Sequence, residues 1–90
     1  MEFEYDSEKS ESNKAKHGID FEEAQRLWAD TNSILLNTTL TDEERFLVVG
    51  TIDKTLWTAV ITFRNGAVRI ISVRRSRKDE KQAYDNSKGI

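Results

Sequence analysis

The sequence predicts an α+β fold: helices packed on an antiparallel β-sheet, in the order β-α-α-β-β-β-β-α. Three observations predict it. Two helix signals occupy the first third of the chain. Alternating runs rich in Val, Ile, Phe and Thr follow, joined by two-residue links. A last capping signal lies near Ser76. The 90 residues make a single domain, 1–90.

Each element has its own cause. Phe3 and Tyr5 alternate with Glu2, Glu4 and Asp6, the pattern of a short strand. Asp6 is placed to N-cap a helix running to about His17, with Glu8 in its first turn and Gly18 as its C′ stop. Ala15 is the sole apolar residue of that helix, so it is either partly exposed or covers a sheet edge with its long stems. Asp20 and Glu23 form a capping box, and Phe21, Ala24, Leu27 and Trp28 give amphipathic helical spacing to about Ala29. Residues 33–37 read as a short strand and 38–43 as a polar turn. The runs 45–51, 56–63 and 68–74 read as longer strands. Asp53-Lys54 and Asn65-Gly66 join these into a meander, and Asn-Gly favours a type I′ turn. Ser76 with Asp79 suggests a second capping box, opening a helix to about Tyr84 or Asn86, after which the chain frays.

Composition narrows the function. The net charge is −2, but residues 64–81 hold seven Arg or Lys against two acids, a local surplus of five positive charges. Residues 1–50 hold twelve acids against five bases. A basic last third beside an acidic first half points to an anion-binding surface or a partner of opposite charge. The absence of Cys excludes disulfides, thiolate metal sites and a cysteine nucleophile, and a single His excludes a multi-histidine metal centre. The four glycines are scattered, so no phosphate-binding glycine loop is present, and no cofactor is expected. The N-terminal residues lack the pattern of a signal peptide and no run reaches membrane-span length. The expectation is a cytoplasmic protein without membrane contact.

Arg64, Arg69, Arg74 and Arg75 cluster around one hairpin. Strict alternation puts Trp57, Ala59, Ile61 and Phe63 on a core face, and Thr62, Arg64, Ser72 and Arg74 on a more polar one. Arg69 then falls with Ile71, Val73 and Arg75. Guanidiniums so grouped can hold a phosphate bidentately, or can form an ordinary solvated rim. His17 is the only histidine, a residue type that titrates near neutral pH. It is either an acid/base or a helix cap. Asp6, Lys9, Asn13 and Lys16 or His17 share one helix face, either a plain charged face or one wall of a cleft. Glu44 can pair with an arginine across the sheet, while Glu43 and Glu44 can equally just blunt a loop. The Tyr84 ring either packs on the sheet or stacks on a base. Trp28, Phe21, Leu27 and Trp57 are expected in the core.

Three blocks resemble the BrnT-type toxins of bacterial type II toxin–antitoxin pairs. They are FEYDSEKSESNKAKHGIDFEEA at 3–24, Glu44-Arg45 through Gly50, and RIISVRRSRKDEKQAYD at 69–85. Ser7 stands where proline is usual, a small change at a first helical position, and Ser76 where alanine is usual, while Glu80 keeps an acidic position. The resemblance implies a RelE-like ribonuclease fold and RNA cleavage that inhibits translation. It also implies neutralisation by a BrnA-type antitoxin, which dimerises through a ribbon-helix-helix domain and binds operator DNA with the toxin as co-repressor. The family-like residues are Lys16, His17, Glu44, Arg45, Arg64, Arg74, Glu80 and Tyr84.

Together these readings give a metal-independent endoribonuclease. His17 transfers the proton, Arg64 and Arg74 grip the scissile phosphate, Lys16 assists and Tyr84 positions a base. Arg45, Arg69, Arg75, Arg77, Glu44 and Glu80 are the expected substrate- or partner-binding residues. The expected assembly is a heterotetramer of two toxins and two antitoxins, touching operator DNA mainly through the antitoxin. The alternative is a non-catalytic interaction or RNA-binding subunit of a DNA-binding repressor complex.

Overall fold

A computed structural model of the chain describes residues 1–38 and 44–88. Most of the expected 38–43 turn, including Glu43, and the last two residues lie outside that range. The elements are β1 (Phe3–Glu4), α1 (Ser7–His17), α2 (Phe21–Ala24), a 3₁₀ segment (Gln25–Ala29), β2 (Ile34–Thr38), β3 (Arg45–Ile52), β4 (Thr55–Arg64), β5 (Ala67–Arg75) and α3 (Lys78–Lys88). The sheet order is β1-β5-β4-β3-β2. The β2–β5 pairings are antiparallel, and β1 adds a short parallel edge beside Val68 and Arg69.

The local chemistry explains most boundaries. The Asp6 carboxylate accepts from the Glu8 and Lys9 N–H groups at 2.9 and 3.2 Å, and Gly18 closes α1 at φ 83°. Both β-hairpin links have positive φ at two residues, Asp53 and Lys54 at 50° and 69°, Asn65 and Gly66 at 51° and 80°.

The second helix departs from the expected single amphipathic span. Its capping box at Asp20 and Glu23 is present, but the α-helix ends at Ala24 and tightens into a 3₁₀ segment. Its end is fixed by Asp30, whose carboxylate accepts from the N–H and hydroxyl of Thr51 at 2.8 and 3.0 Å. Gly50 allows that approach: a Cβ there would sit 3.2–3.3 Å from Ser33, Asp30 and Leu27.

One sheet face is covered by α1, α2 and the 3₁₀ segment. Phe21, Ala24 and Leu27 pack there on Val48, Ala59, Ile61, Val68, Ile70 and Val73, all buried. Burying a side chain such as Phe21 or Leu27 contributes roughly 1.5–3 kcal/mol. Phe63, expected in this core, shares its face but is 54% exposed. Trp28 and Trp57 pack on the core but stay partly exposed.

α1 is partly exposed, as one alternative expected, and it also covers a sheet edge, through buried Asn13 and Ser10 rather than through long stems. β1 pairs only as far as Arg69, which leaves the outer edge of β5 beyond it without a strand. Asn13 takes that place: its Nδ2 donates to the carbonyls of Val73 at 2.9 Å and Ile19 at 2.8 Å, and its Oδ1 accepts from Val73 N–H at 3.2 Å. Ser10, also buried, accepts from Phe21 N–H at 2.9 Å. Buried backbone groups are thus satisfied by side chains rather than a ladder.

Candidate functional site

The opposite sheet face is only partly covered. Paired residues share a face, so three rows cross it. Leu36, Leu47, Val60 and Ser72 form the middle row. Ile34, Val49, Thr58 and Arg74 form a second. The third holds Thr38 beside Arg45 and Thr62 beside Arg69. α3 packs over the second row, burying Val49 and Thr58, while Leu36, Leu47, Val60 and Ser72 remain half-buried.

A β-bulge sets this face. Val60 pairs with Ser72, and the next residue, Ile61, pairs with Ile70, so Ile71 is the extra residue. The extra residue reverses the alternation in β5. Arg69 therefore lies on the face of Ser72 and Arg74, not with Val73 and Arg75 as strict alternation predicts. Thr58 lies on the same face but is fully buried beneath α3.

The bulge also meets α1. Lys9, Ser12, Asn13, Lys16 and His17 line a cleft of about 200 Å³ with Phe21, Ile71 and Ser72. The shared face of α1 is therefore one wall of a cleft. Ser72 belongs to both the cleft and the sheet row between Arg69 and Arg74. Ser72 is thus the residue common to the cleft of His17 and Lys16 and to the face that carries Arg69 and Arg74.

Arg74 is anchored at the far end. Its Nη1 and Nη2 donate to the two Glu80 oxygens, each at 2.8 Å. Glu80 also accepts from Thr58 Oγ1 at 2.9 Å and from Arg77 N–H at 2.8 Å. That last bond caps α3 one residue later than expected: Ser76 instead pairs its hydroxyl with Thr58 at 2.8 Å. The Arg74 guanidinium, opposed by burial and helped by Arg77 N–H and Thr58, holds the Glu80 carboxyl well down, at about 2. Glu80 is therefore a carboxylate at neutral pH.

Tyr84 packs down, the first of its two alternatives. It is 3% exposed, and its hydroxyl donates to Asp30 at 2.7 Å. Burial pushes the Asp30 carboxyl up, but hydrogen bonds from Tyr84, Thr51 and the Asn32 N–H outweigh it and bring it to about 2. Burial and the Asp30 carboxylate push the Tyr84 phenol above its ordinary value.

The remaining candidates are spread out. Arg69 donates to Glu4 at 3.2 Å. Arg64 is exposed at the end of β4, and Arg77 is exposed before α3. Arg75 lies on the other face with its guanidinium 5.6 Å from the Trp57 ring. Arg45 is half-buried at the start of β3. Glu44 is exposed, and its carbonyl accepts from Thr62 Oγ1 at 2.8 Å. The structure thus gathers Lys16 and His17 with Ser72, which shares its sheet face with Arg69 and Arg74. Arg75, Arg77 and Tyr84 lie apart from it. Asp30 and Glu4 escaped the sequence reading. The only local signal for Asp30 is its place before Thr-Asn at a helix end, where its Oδ1 accepts from Asn32 N–H at 2.9 Å.

Among the described residues, no helix is long and apolar enough to cross a membrane. Compared with known families, the chain matches the model described as "Ribonuclease toxin, BrnT, of type II toxin-antitoxin system" over residues 5–80. No curated protein matches it.

Proposed function

Because the chain belongs to the BrnT family of ribonuclease toxins of type II toxin–antitoxin systems, we propose that it cleaves RNA without a metal ion, on the surface joining the α1 cleft to Arg69 and Arg74. Its substrate is RNA and its partner an antitoxin. The observation that carries the proposed site is the bulge at Ile71. It sets Arg69, Ser72 and Arg74 on one face, against the cleft of Lys16 and His17.

The chemistry uses the nucleophile that RNA brings. The 2′-oxygen attacks the adjacent phosphorus and loses its proton. The bond to the 5′-oxygen breaks, and that oxygen takes up a proton. The products are a 2′,3′-cyclic phosphate and a 5′-hydroxyl. His17 is the proton-transfer group. Lys9 and Lys16 on the cleft wall and Arg69 on the sheet hold the phosphate and stabilise its added charge, with Arg64 further along the strand end. Leu36, Leu47 and Val60 offer an apolar floor for a base. Arg74 presents its edge to this surface, but its charge is matched by Glu80, so its larger role is to position β5 and α3. Tyr84 is a scaffold residue in this reading.

A single substitution in the middle of the surface tests the site. Ser72→Asp places a negative charge between the cleft and the arginines, and is expected to lower RNA cleavage by roughly a hundredfold in a folded protein. Arg75→Ala, on the other face, should retain cleavage. Equal effects of the two would reject this surface.

The antitoxin is of the BrnA type in this reading. It dimerises through a ribbon-helix-helix domain, carries two toxins and supplies the operator contacts, all in the cytoplasm. The support is the family match and the want of a DNA-reading motif in the sequence. Mobility shifts at near-physiological salt should show specific operator binding by the mixture only. Specific binding by this chain alone would contradict that division.

A further inference from the structure

We propose that the cleft between α1 and the bulge of β5 is a nucleobase subsite with Ile71 in its floor, and that it grips any of the four RNA bases rather than reading one. The proposal rests on the reading of this chain as a ribonuclease and deepens it. The sheet row of Leu36, Leu47 and Val60 takes the base on one side of the scissile phosphate, and the cleft takes the base on the other.

The lining divides by chemistry. Phe21 and Ile71 are its apolar residues, the first buried and the second half-buried. Ile71 reaches the cleft because it is the extra residue of the bulge, and bulges re-aim a side chain out of the regular alternation. Lys9, Ser12, Lys16 and His17 are exposed along the α1 wall. An apolar floor beside a cationic wall suits a flat ring that carries a phosphate on its sugar. A volume of about 200 Å³ has room for a single base and not for a longer stretch.

Charge and hydrogen bonding define the ligand further. Among the described residues, no carboxylate lines the cleft. Asp6 and Asp20 cap the two helices, Glu23 holds Lys14 at 2.7 Å, and the other acids of α1 and α2 do not line it. The positive wall is thus left to an anion. Asn13 is the one amide on the lining, a side-chain type that pairs a base edge bidentately. Its bonds to Ile19 and Val73 already engage both its N–H groups and its oxygen. That leaves Ser12 and Ser72, whose hydroxyls donate or accept as the base requires. Packing on an apolar floor plus two hydroxyls holds a base without selecting it.

Nucleotide binding followed by NMR on the isotope-labelled full chain tests this without requiring cleavage. The ligands titrated are the 3′-monophosphates of adenosine, guanosine, cytidine and uridine, with ribose 5-phosphate and inorganic phosphate. All four nucleotides should shift the amide signals of Ser12, Ile71 and Ser72. They should bind at least about tenfold more tightly than the two base-free ligands and differ among themselves by less than about tenfold. Ile71→Trp fills the floor, and Ser12→Trp narrows the mouth from an exposed helix position. In both, nucleotide affinity is expected to fall to that of ribose 5-phosphate, with the fold checked by circular dichroism. Equal affinity of the wild type for nucleotide and ribose 5-phosphate would show an anion site without a base pocket and overturn the proposal. So would a preference above about tenfold for one base, shifts confined to Leu36, Leu47 and Val60, or folded variants that bind as the wild type does. So would folded variants that lose the antitoxin and keep the nucleotides, which would give the cleft to the partner. Wild-type protein that binds nucleotides in the cleft but does not cleave RNA would sink the catalytic reading and leave the subsite standing. Cleavage of RNA by a chain whose cleft takes no nucleotide would do the reverse.

Discussion

Arg74 and Glu80 form a bidentate pair, 2.8 Å along each arm, that ties β5 to α3. Glu80 and Tyr84 are the buried residues of α3, one turn apart. Each is held by a carboxylate contact, Glu80 to Arg74 and Tyr84 to Asp30. α3 is otherwise polar, so these two polar anchors fix it to the sheet where burial does not.

Glu80→Gln is therefore expected to destabilise the protein by about 2–4 kcal/mol, since it leaves a largely buried guanidinium with a neutral partner. Arg74→Ala should cost a similar amount by stranding Glu80. Urea unfolding monitored by tryptophan fluorescence will measure both. A cost under about 0.5 kcal/mol in both variants would show that the pair is no more than a surface contact.

The pH dependence follows in sign. The Glu80 pKa is lowered from 4.5 to about 2, so its contribution is fully present above the unfolded value. It is lost as pH falls from about 4.5 toward about 2, and is on the order of 3 kcal/mol. Asp30, lowered from 3.8 to about 2, adds a loss over the lower part of the same window. Unfolding free energies taken between pH 6 and pH 2.5 should decline at the acid end, and Glu80→Gln should decline less steeply. Parallel curves for the two proteins would refute the linkage.

Tyr84→Phe removes the hydroxyl bonded to Asp30 and keeps the ring. The expected result is a loss of about 1–2 kcal/mol in stability with RNA cleavage preserved. A stable Tyr84→Phe protein with greatly reduced cleavage would return Tyr84 to the reaction.

Asn13→Ala removes the contacts that close the edge of β5 and leaves the backbone groups of Val73 unsatisfied. About 2–3 kcal/mol of destabilisation is expected. Hydrogen exchange at Val73 N–H should accelerate in the variant. Unchanged protection there would mean that another group closes this edge.

Much of this was legible in the residues. Asp6 and Gly18 mark the ends of α1, and Asn65-Gly66 marks a hairpin, because caps and turns are local chemistry. The cationic character of 64–81 was equally plain. What alternation could not show is an extra residue: nothing in Arg69-Ile70-Ile71-Ser72 marks Ile71 as the bulge, so Arg69 was read onto the wrong face. Ser76 looked like a cap, but Glu80 reaches Arg77 N–H while Ser76 bonds Thr58, a partner 18 residues away. The second helical stretch ends at Ala29 as expected but tightens to 3₁₀ after Ala24, and the bond from Asp30 to Thr51 that follows it is a long-range contact that a helical pattern does not record. In α1 the pattern put Asn13 on a shared face, yet only the structure reveals that this face closes a strand edge.

The most direct test of the central claim is cleavage of a defined RNA in excess EDTA by the wild-type chain and by folded His17→Gln, with the ends of the products identified. The account predicts that the wild type cleaves at its full rate under chelation and leaves a 2′,3′-cyclic phosphate and a 5′-hydroxyl. It predicts that His17→Gln is slower by roughly a hundredfold or more. Cleavage that vanishes with EDTA and returns with magnesium would contradict the account, as would a His17→Gln protein that cleaves at the wild-type rate.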